Sequence, residues 1–89
     1  MPRVTFTANI QRHVPCPDET VGGRSVREAL DAYFALHPRA RSYVLDDQGA
    51  VRSHMVVFLD DAMIHDRARQ SETVEENSVI SVFQALSGG

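Results

Sequence analysis

Residues 3–10, RVTFTANI, alternate: Val4, Phe6, Ala8 and Ile10 fall on one side, and Arg3, Thr5, Thr7 and Asn9 on the other. A period of two predicts a strand with one buried face. HVPCPDETVGG follows, with two prolines, acids and paired glycines, and predicts a turn with a short second strand about Thr20-Val21. From Ser25 the period changes. Val26, Ala29, Leu30, Tyr33 and Phe34 recur at spacings of three and four, which predicts a helix with one apolar stripe. Ser25 followed by Glu28 fits the capping box that satisfies free amides at a helix start. Pro38 disfavours helix for the residue before it, so this helix should end near His37.

The segment RSYVLDDQGAVRSHMVVFLDDAMI predicts two or three strands. Asp47-Gln48-Gly49 supplies turn chemistry between Tyr43–Asp46 and Val51–Leu59. Asp60-Asp61 marks a second tight turn, before the short apolar piece Ala62-Met63-Ile64. HDRARQSETVEENS has no apolar period and should be loop with one helical turn at most. The last strand, Val79–Gln84, sets Ile80 and Val82 on one face and Val79, Ser81 and Phe83 on the other. Strands, one main helix and more strands predict an α+β fold, a mixed sheet curled over the helix.

Composition changes this picture little. Eighty-nine residues make one small domain with a thin stability margin. Twelve acids against nine bases give a net charge of −3, which offers no argument for a nucleic-acid or membrane partner. All nine bases are arginine, so no side-chain amine is present to accept an isopeptide bond. A single cysteine excludes an internal disulfide and suits a reducing compartment. No apolar run approaches a membrane span, and the first residues lack the layout of a signal peptide; the expected location is the cytoplasm.

Conventional site chemistry finds little support. His13, His37, His54 and His65 stand at no recognised zinc spacing and read as surface or edge residues; no metal is expected. Cys16, in PCP, has Asp18 and Glu19 nearby, which would raise rather than lower its pKa. The pairs Asp46-Asp47 and Asp60-Asp61 sit at turns, where Asp serves backbone hydrogen bonding, and adjacent strand residues face opposite ways. No nucleophile elbow, phosphate-binding loop or dinucleotide fingerprint occurs.

The end of the sequence is different. A strand-like run leads directly into Ser87-Gly88-Gly89. Two glycines cannot hold a fold together, so they predict a flexible tail, residues 87–89, on a domain of residues 1–86. Extended backbone covers about 3.3 Å per residue, so Leu86–Gly89 would reach roughly 13 Å past the strand. Without β-carbons such a tail can enter a narrow tunnel in another protein and deliver its carboxylate there. A carboxylate is a poor electrophile and needs a partner to activate it, usually by adenylation with ATP.

The succession VTFTANI, SVREALDAYFALHP, MVVFLDDAMI, ENSVISVFQAL and SGG resembles the MoaD/ThiS group of ubiquitin-like sulfur carriers over essentially the whole chain. The resemblance implies the β-grasp fold and a protein co-substrate rather than an enzyme, with the small subunit of a molybdopterin-synthase-like complex as a related role. It implies no bound cofactor: a MoeB/ThiF-type activating enzyme would use ATP to adenylate Gly89, and a persulfide-bearing donor would convert it to a thiocarboxylate. A MoaE-like or cysteine-synthase-like acceptor would take the sulfur. Ser87 and Gly88 would line the tunnel. Phe83 and Met63 match the apolar patch by which such carriers dock the activating enzyme, with Leu86 as a further contact.

Thr7 and Gln84-Ala85 depart from the molybdopterin-type pattern, which often has an aromatic and a pair of prolines there. The long segment 41–61 resembles the longer carriers that serve cysteine synthesis or transfer-RNA thiolation. Two other readings share the tail: a ubiquitin-like modifier conjugated through Gly89, and a β-grasp interaction module with an inert tail.

Overall fold

The computed structural model describes residues 1–85, and Leu86, Ser87, Gly88 and Gly89 lie outside the described residues. Among the described residues, five strands and three helices follow in the order β1 (Arg3–Phe6), α1 (Ala8–Gln11), β2 (Glu19–Thr20), α2 (Val26–Leu36), α3 (Pro38–Val44), β3 (Met55–Leu59), β4 (Ala62–Met63) and β5 (Val79–Gln84). One mixed sheet has the order β2-β1-β5-β3-β4. β5 lies at its centre, parallel to β1 and antiparallel to β3. This is the expected β-grasp.

The inner face of the sheet is covered by α2. Val4 and Phe6 of β1, Met55 and Val57 of β3, and Ile80 and Val82 of β5 are buried with Val26, Ala29, Leu30, Tyr33 and Phe34 of the helix. Ser25 caps α2, its Oγ accepting the Glu28 N–H at 3.1 Å. Glu28 in return accepts the N–H of Arg24, one residue before the cap, at 3.0 Å. Gly23, at φ +145°, lies against the first turn of α2, and a Cβ there would stand 2.7 Å from the Ala29 nitrogen. Tyr33 is the largest fully buried side chain, and its hydroxyl donates to the Pro17 carbonyl at 2.6 Å.

The final strand, the short strand about residue 20, the end of α2 and the turn at Asp60 fall where the sequence puts them. Three expectations need correction. The first strand stops at Phe6 rather than Ile10, and residues 8–11 form the short helix α1. Phe6 and Ile10 are four apart, so a helical turn buries Ile10 just as alternation would; Ala8, which alternation turns inward, is exposed. Second, Pro38 ends α2 and also begins α3 at its first position, where the missing N–H costs nothing. Tyr43 and Val44 are therefore helical, and Ala40 and Val44 are the buried pair one turn apart.

Third, the strand expected over Val51–Leu59 begins at Met55. Leu45 and Val51 are joined by an isolated bridge across the turn, where Gly49 adopts φ +84°. Residues 52–54 then form a turn held by the guanidinium of Arg67, which donates to the carbonyls of Arg52 at 2.6 Å and Met55 at 2.7 Å. Segment 65–78 is loop, as its lack of period predicts, with a helical turn closed by the Gln70 N–H to the Asp66 carbonyl at 2.7 Å. Gln70 is fully buried, and its amide donates to the carbonyls of Gly49 and Arg67.

Candidate functional site

β5 is paired on both sides over most of its length: Val79–Val82 with β1, and Ile80–Gln84 with β3. The Ala85 N–H then donates to the His54 carbonyl at 2.8 Å. The chain leading to Ser87, Gly88 and Gly89 is thus anchored up to residue 85. The remaining tail positions named from sequence, Leu86 included, lie outside the described residues.

Strand alternation turns Phe83 away from the core. It is 42% exposed on the outer face of the sheet, where Met63 of the edge strand is 50% exposed. Between them lie residues that sequence reasoning did not single out. Phe58 of β3 pairs with Met63 of β4, and its half-buried ring meets that of Phe83 edge-on at 5.5 Å between centroids. Val56, also half-buried, stands directly opposite Phe83. Cross-strand neighbours on one face interact in this way. Phe83, Phe58, Met63 and Val56 make a contiguous apolar patch. The signal was present: MVVFL is apolar at every position, so β3 has apolar residues on both faces, although a one-sided sheet should alternate.

The polar candidates have structural duties. Cys16 is buried, and burial, with the Asp18 charge as the smaller cause, pushes its thiol up to about 11. A protonated, enclosed thiol is a poor nucleophile. The buried Tyr33 hydroxyl is likewise raised, first by burial. Asp46 accepts the N–H groups of Gln48 and Ala50, and these bonds hold its carboxyl below the ordinary range. Asp60, at φ 53°, accepts the Val79 N–H at 2.9 Å and ties the β3–β4 turn to the start of β5. Both belong to turns, as their sequence setting indicates.

His13, His54 and His65 are exposed. His37 is half-buried, its Nε2 2.7 Å from Glu19 and its ring against Tyr33, so it fastens the end of α2 to β2. Among the described residues, no three of His, Cys, Asp and Glu lie together in a way that would hold a metal ion. No helix among them is long and apolar enough to cross a membrane.

A mixed sheet grasping one helix, with the last strand at its centre beside an exposed apolar patch, defines a domain of the ubiquitin-like class. A family model described as the ThiS family matches residues 7–89, so the chain belongs to the ThiS family of ubiquitin-like sulfur carriers. That places it among small protein substrates rather than enzymes. A search of curated proteins gives no match.

Solved structures agree in fold. SAMP1 of Haloferax volcanii is 24% identical, with 99% of this chain and 98% of that one covered at a TM-score of 0.77. The BexX/CysO complex of Amycolatopsis orientalis contains a chain 14% identical, covered 100% on both sides at 0.82. CysO of Mycobacterium tuberculosis is 9% identical, with 97% of this chain and 100% of that one covered at 0.80.

Proposed function

We propose that this protein carries sulfur on its C-terminal glycine. Gly89 is adenylated by an ATP-using enzyme of the MoeB/ThiF type, with release of pyrophosphate. The outer sulfur of a donor's persulfide then displaces AMP to form an acyl disulfide. A second thiol attacks the donor's own sulfur in that S–S bond, leaving a disulfide on the donor side and a thiocarboxylate on Gly89, which passes its sulfur to a biosynthetic acceptor. The observation that carries this reading is the family match, which runs through Ser87-Gly88-Gly89. The protein itself binds no cofactor in this scheme. Phe83, Met63 and Leu86, joined by Phe58 and Val56, dock the activating enzyme, and Ser87 and Gly88 occupy its tunnel.

The long connection from α2 to β3 supports an acceptor serving cysteine synthesis or transfer-RNA thiolation, with a MoaE-like acceptor as the alternative. A buried, reduced thiol and an ATP-using partner both suit the cytoplasm. The CysO likeness is to a chain solved in complex with BexX, which supports docking by a protein of this fold. A second reading, a modifier conjugated through Gly89, draws on the likeness to proteins named small archaeal modifiers.

Intact mass after incubation with ATP, sulfide and a MoeB/ThiF-type enzyme tests the reading. The expected result is a gain equal to one oxygen replaced by sulfur, mapped to the peptide ending at Gly89. An unchanged mass, with an enzyme that converts its own carrier, counts against it; lysine-linked adducts in cell extracts favour the modifier. Gly88→Val is expected to keep the wild-type unfolding midpoint and lose adenylation, read as ATP–pyrophosphate exchange. Exchange at the normal rate in that variant would remove the tunnel from the mechanism.

A further inference from the structure

The net charge of −3 conceals a segregation. Residues 7–17, 32–45, 48–59 and 77–85 contain no acid, yet they hold Arg12, Arg39, Arg41 and Arg52 together with His13 and His54. The fold brings parts of these segments, residues 9–13, 39–43, 52–54 and 84–85, to one end of the domain. The His13 ring stacks on Tyr43 of α3, 6.1 Å between centroids at 16°. Arg39 lies one turn before Tyr43 on the same helix. Arg52 donates from Nε to the Ser42 carbonyl at 2.8 Å, which joins the 52–54 turn to α3.

The same end is where β5 leaves the sheet. On one side the Asn9 amide of α1 donates to Gln84 Oε1 at 3.2 Å; on the other, Ala85 is bonded to His54. Arg12, His13, Arg39 and His54 are exposed. None of the four arginines lies within ion-pair distance of a carboxylate among the described residues, although Arg52 stands beside Asp46 and Asp47 at the margin of this end. The opposite end is acidic: Asp60 holds the start of β5, and Glu76 lies 3.6 Å from the Met1 ammonium.

We infer that this arginine- and histidine-rich end is a docking surface for an acidic protein surface, the one surrounding the opening that receives the tail. The inference rests on the tail chemistry proposed above. Like charges grouped around an exit attract a complementary rim over about a Debye length, ~8 Å at physiological salt, and raise the rate of productive encounter. The apolar patch then supplies contact area while the basic end sets orientation. A nucleic acid fits less well. Among the described residues, His13 and Tyr43 are the only ring pair placed at this end, and stacked on each other they offer no row of aromatic faces for successive bases.

Two measurements on the full chain test this. In the first, polyglutamate is titrated into labelled protein and amide shifts are mapped by NMR, for wild type and for Arg12→Glu with Arg39→Glu. Shifts concentrated at residues 9–13, 39–43, 52–54 and 85, abolished in the variant and at 0.5 M salt (on the order of a 4 Å Debye length), are expected. Shifts centred on Arg24 and Arg69, or unchanged in the variant, overturn the proposal. Should the reversal variant fail to fold, Arg12→Gln with Arg39→Gln takes its place.

The second measurement is ATP–pyrophosphate exchange by a MoeB/ThiF-type enzyme. The variant's KM should rise about tenfold with kcat unchanged and with the salt dependence of KM lost. A KM within about twofold of wild type overturns the docking role even if polyglutamate binds, since steering of this kind changes rates at least ~10-fold. Oligouridylate shifting the same amides at lower concentration than polyglutamate overturns it in favour of RNA. Failure of wild type to support exchange, with an enzyme active on its own carrier, counts against the tail chemistry, while the polyglutamate map still decides the surface.

Discussion

Ile80 and Phe83 stand three residues apart on one strand and face opposite sides of the sheet. Ile80, with Val82, is fully buried against α2, and fully burying such a side chain contributes roughly 1.5–3 kcal/mol. Phe83 is 42% exposed and touches Phe58 edge-on, with Met63 beyond it more exposed still. Folding accounts for the inner residues. It does not account for two phenylalanines and a methionine gathered on the outer face, where single exposed apolar residues are ordinary but a contiguous group marks an interaction surface. One strand thus serves stability on one side and, in the function proposed above, recognition on the other, and it is the strand that leads to Gly89.

The sharpest way to break this division is to exchange the consequences. Ile80→Ala should cost about 2–5 kcal/mol, a large share of the ~5–15 kcal/mol available to a small domain. Urea unfolding should show a midpoint far below wild type, with exchange kinetics near normal for the fraction that remains folded. A loss confined to activation, at unchanged stability, would show the inner face to be a recognition surface as well.

Phe83→Asp should do the reverse. It removes an aromatic pair and places a carboxylate on an exposed strand position, for about 1–2 kcal/mol at most. The KM for exchange with the activating enzyme should rise at least ~10-fold, because hot-spot aromatics at an interface are commonly worth ~2 kcal/mol or more. Loss of cooperative unfolding in this variant would place Phe83 with Ile80 among the residues that hold the fold.

A smaller effect sharpens the account of the outer face. If Phe58 positions Phe83, a double-mutant cycle with Phe58→Leu and Phe83→Leu should give a coupling of about 0.5–1.5 kcal/mol in unfolding experiments. Zero coupling would mean that the 5.5 Å approach of the rings carries no energy and that Phe83 alone presents the surface.

How much of this was legible beforehand depended on whether two periods could be told apart. In Val79–Gln84 the alternation is strict and its face assignment survives intact. In α2 five apolar residues fix one stripe and the cap is explicit. At Phe6 and Ile10 the spacing of four satisfies strand and helix alike, so α1 was invisible. α3 is seven residues long with two buried positions, too short for its stripe to outweigh the strand preference of Tyr43 and Val44. Phe58 and Val56 were hidden because a run with no polar residue does not say which face is inside. The basic end was hidden more deeply: its arginines and histidines come from segments that only the fold joins.

The acid pairs repeat the division on a finer scale, and they carry the smallest expected effect. Asp46 works on the backbone, while Asp47, its neighbour, is exposed. The N–H of Ala50, then that of Gln48, lowers the Asp46 pKa in the folded state. A carboxyl with a depressed folded pKa binds fewer protons when folded than when unfolded. Its contribution is therefore present above the unfolded value, about pH 4, and is lost as pH falls through the folded one. Asp46→Asn keeps the acceptor oxygen but does not titrate. The variant should therefore be slightly less stable than wild type at pH 7, and the difference should close below about pH 4, where its midpoint falls less steeply. If the acid limb of the variant falls as steeply as that of wild type, the backbone bonds do not hold the Asp46 carboxylate, and Asp46 is a solvated surface charge.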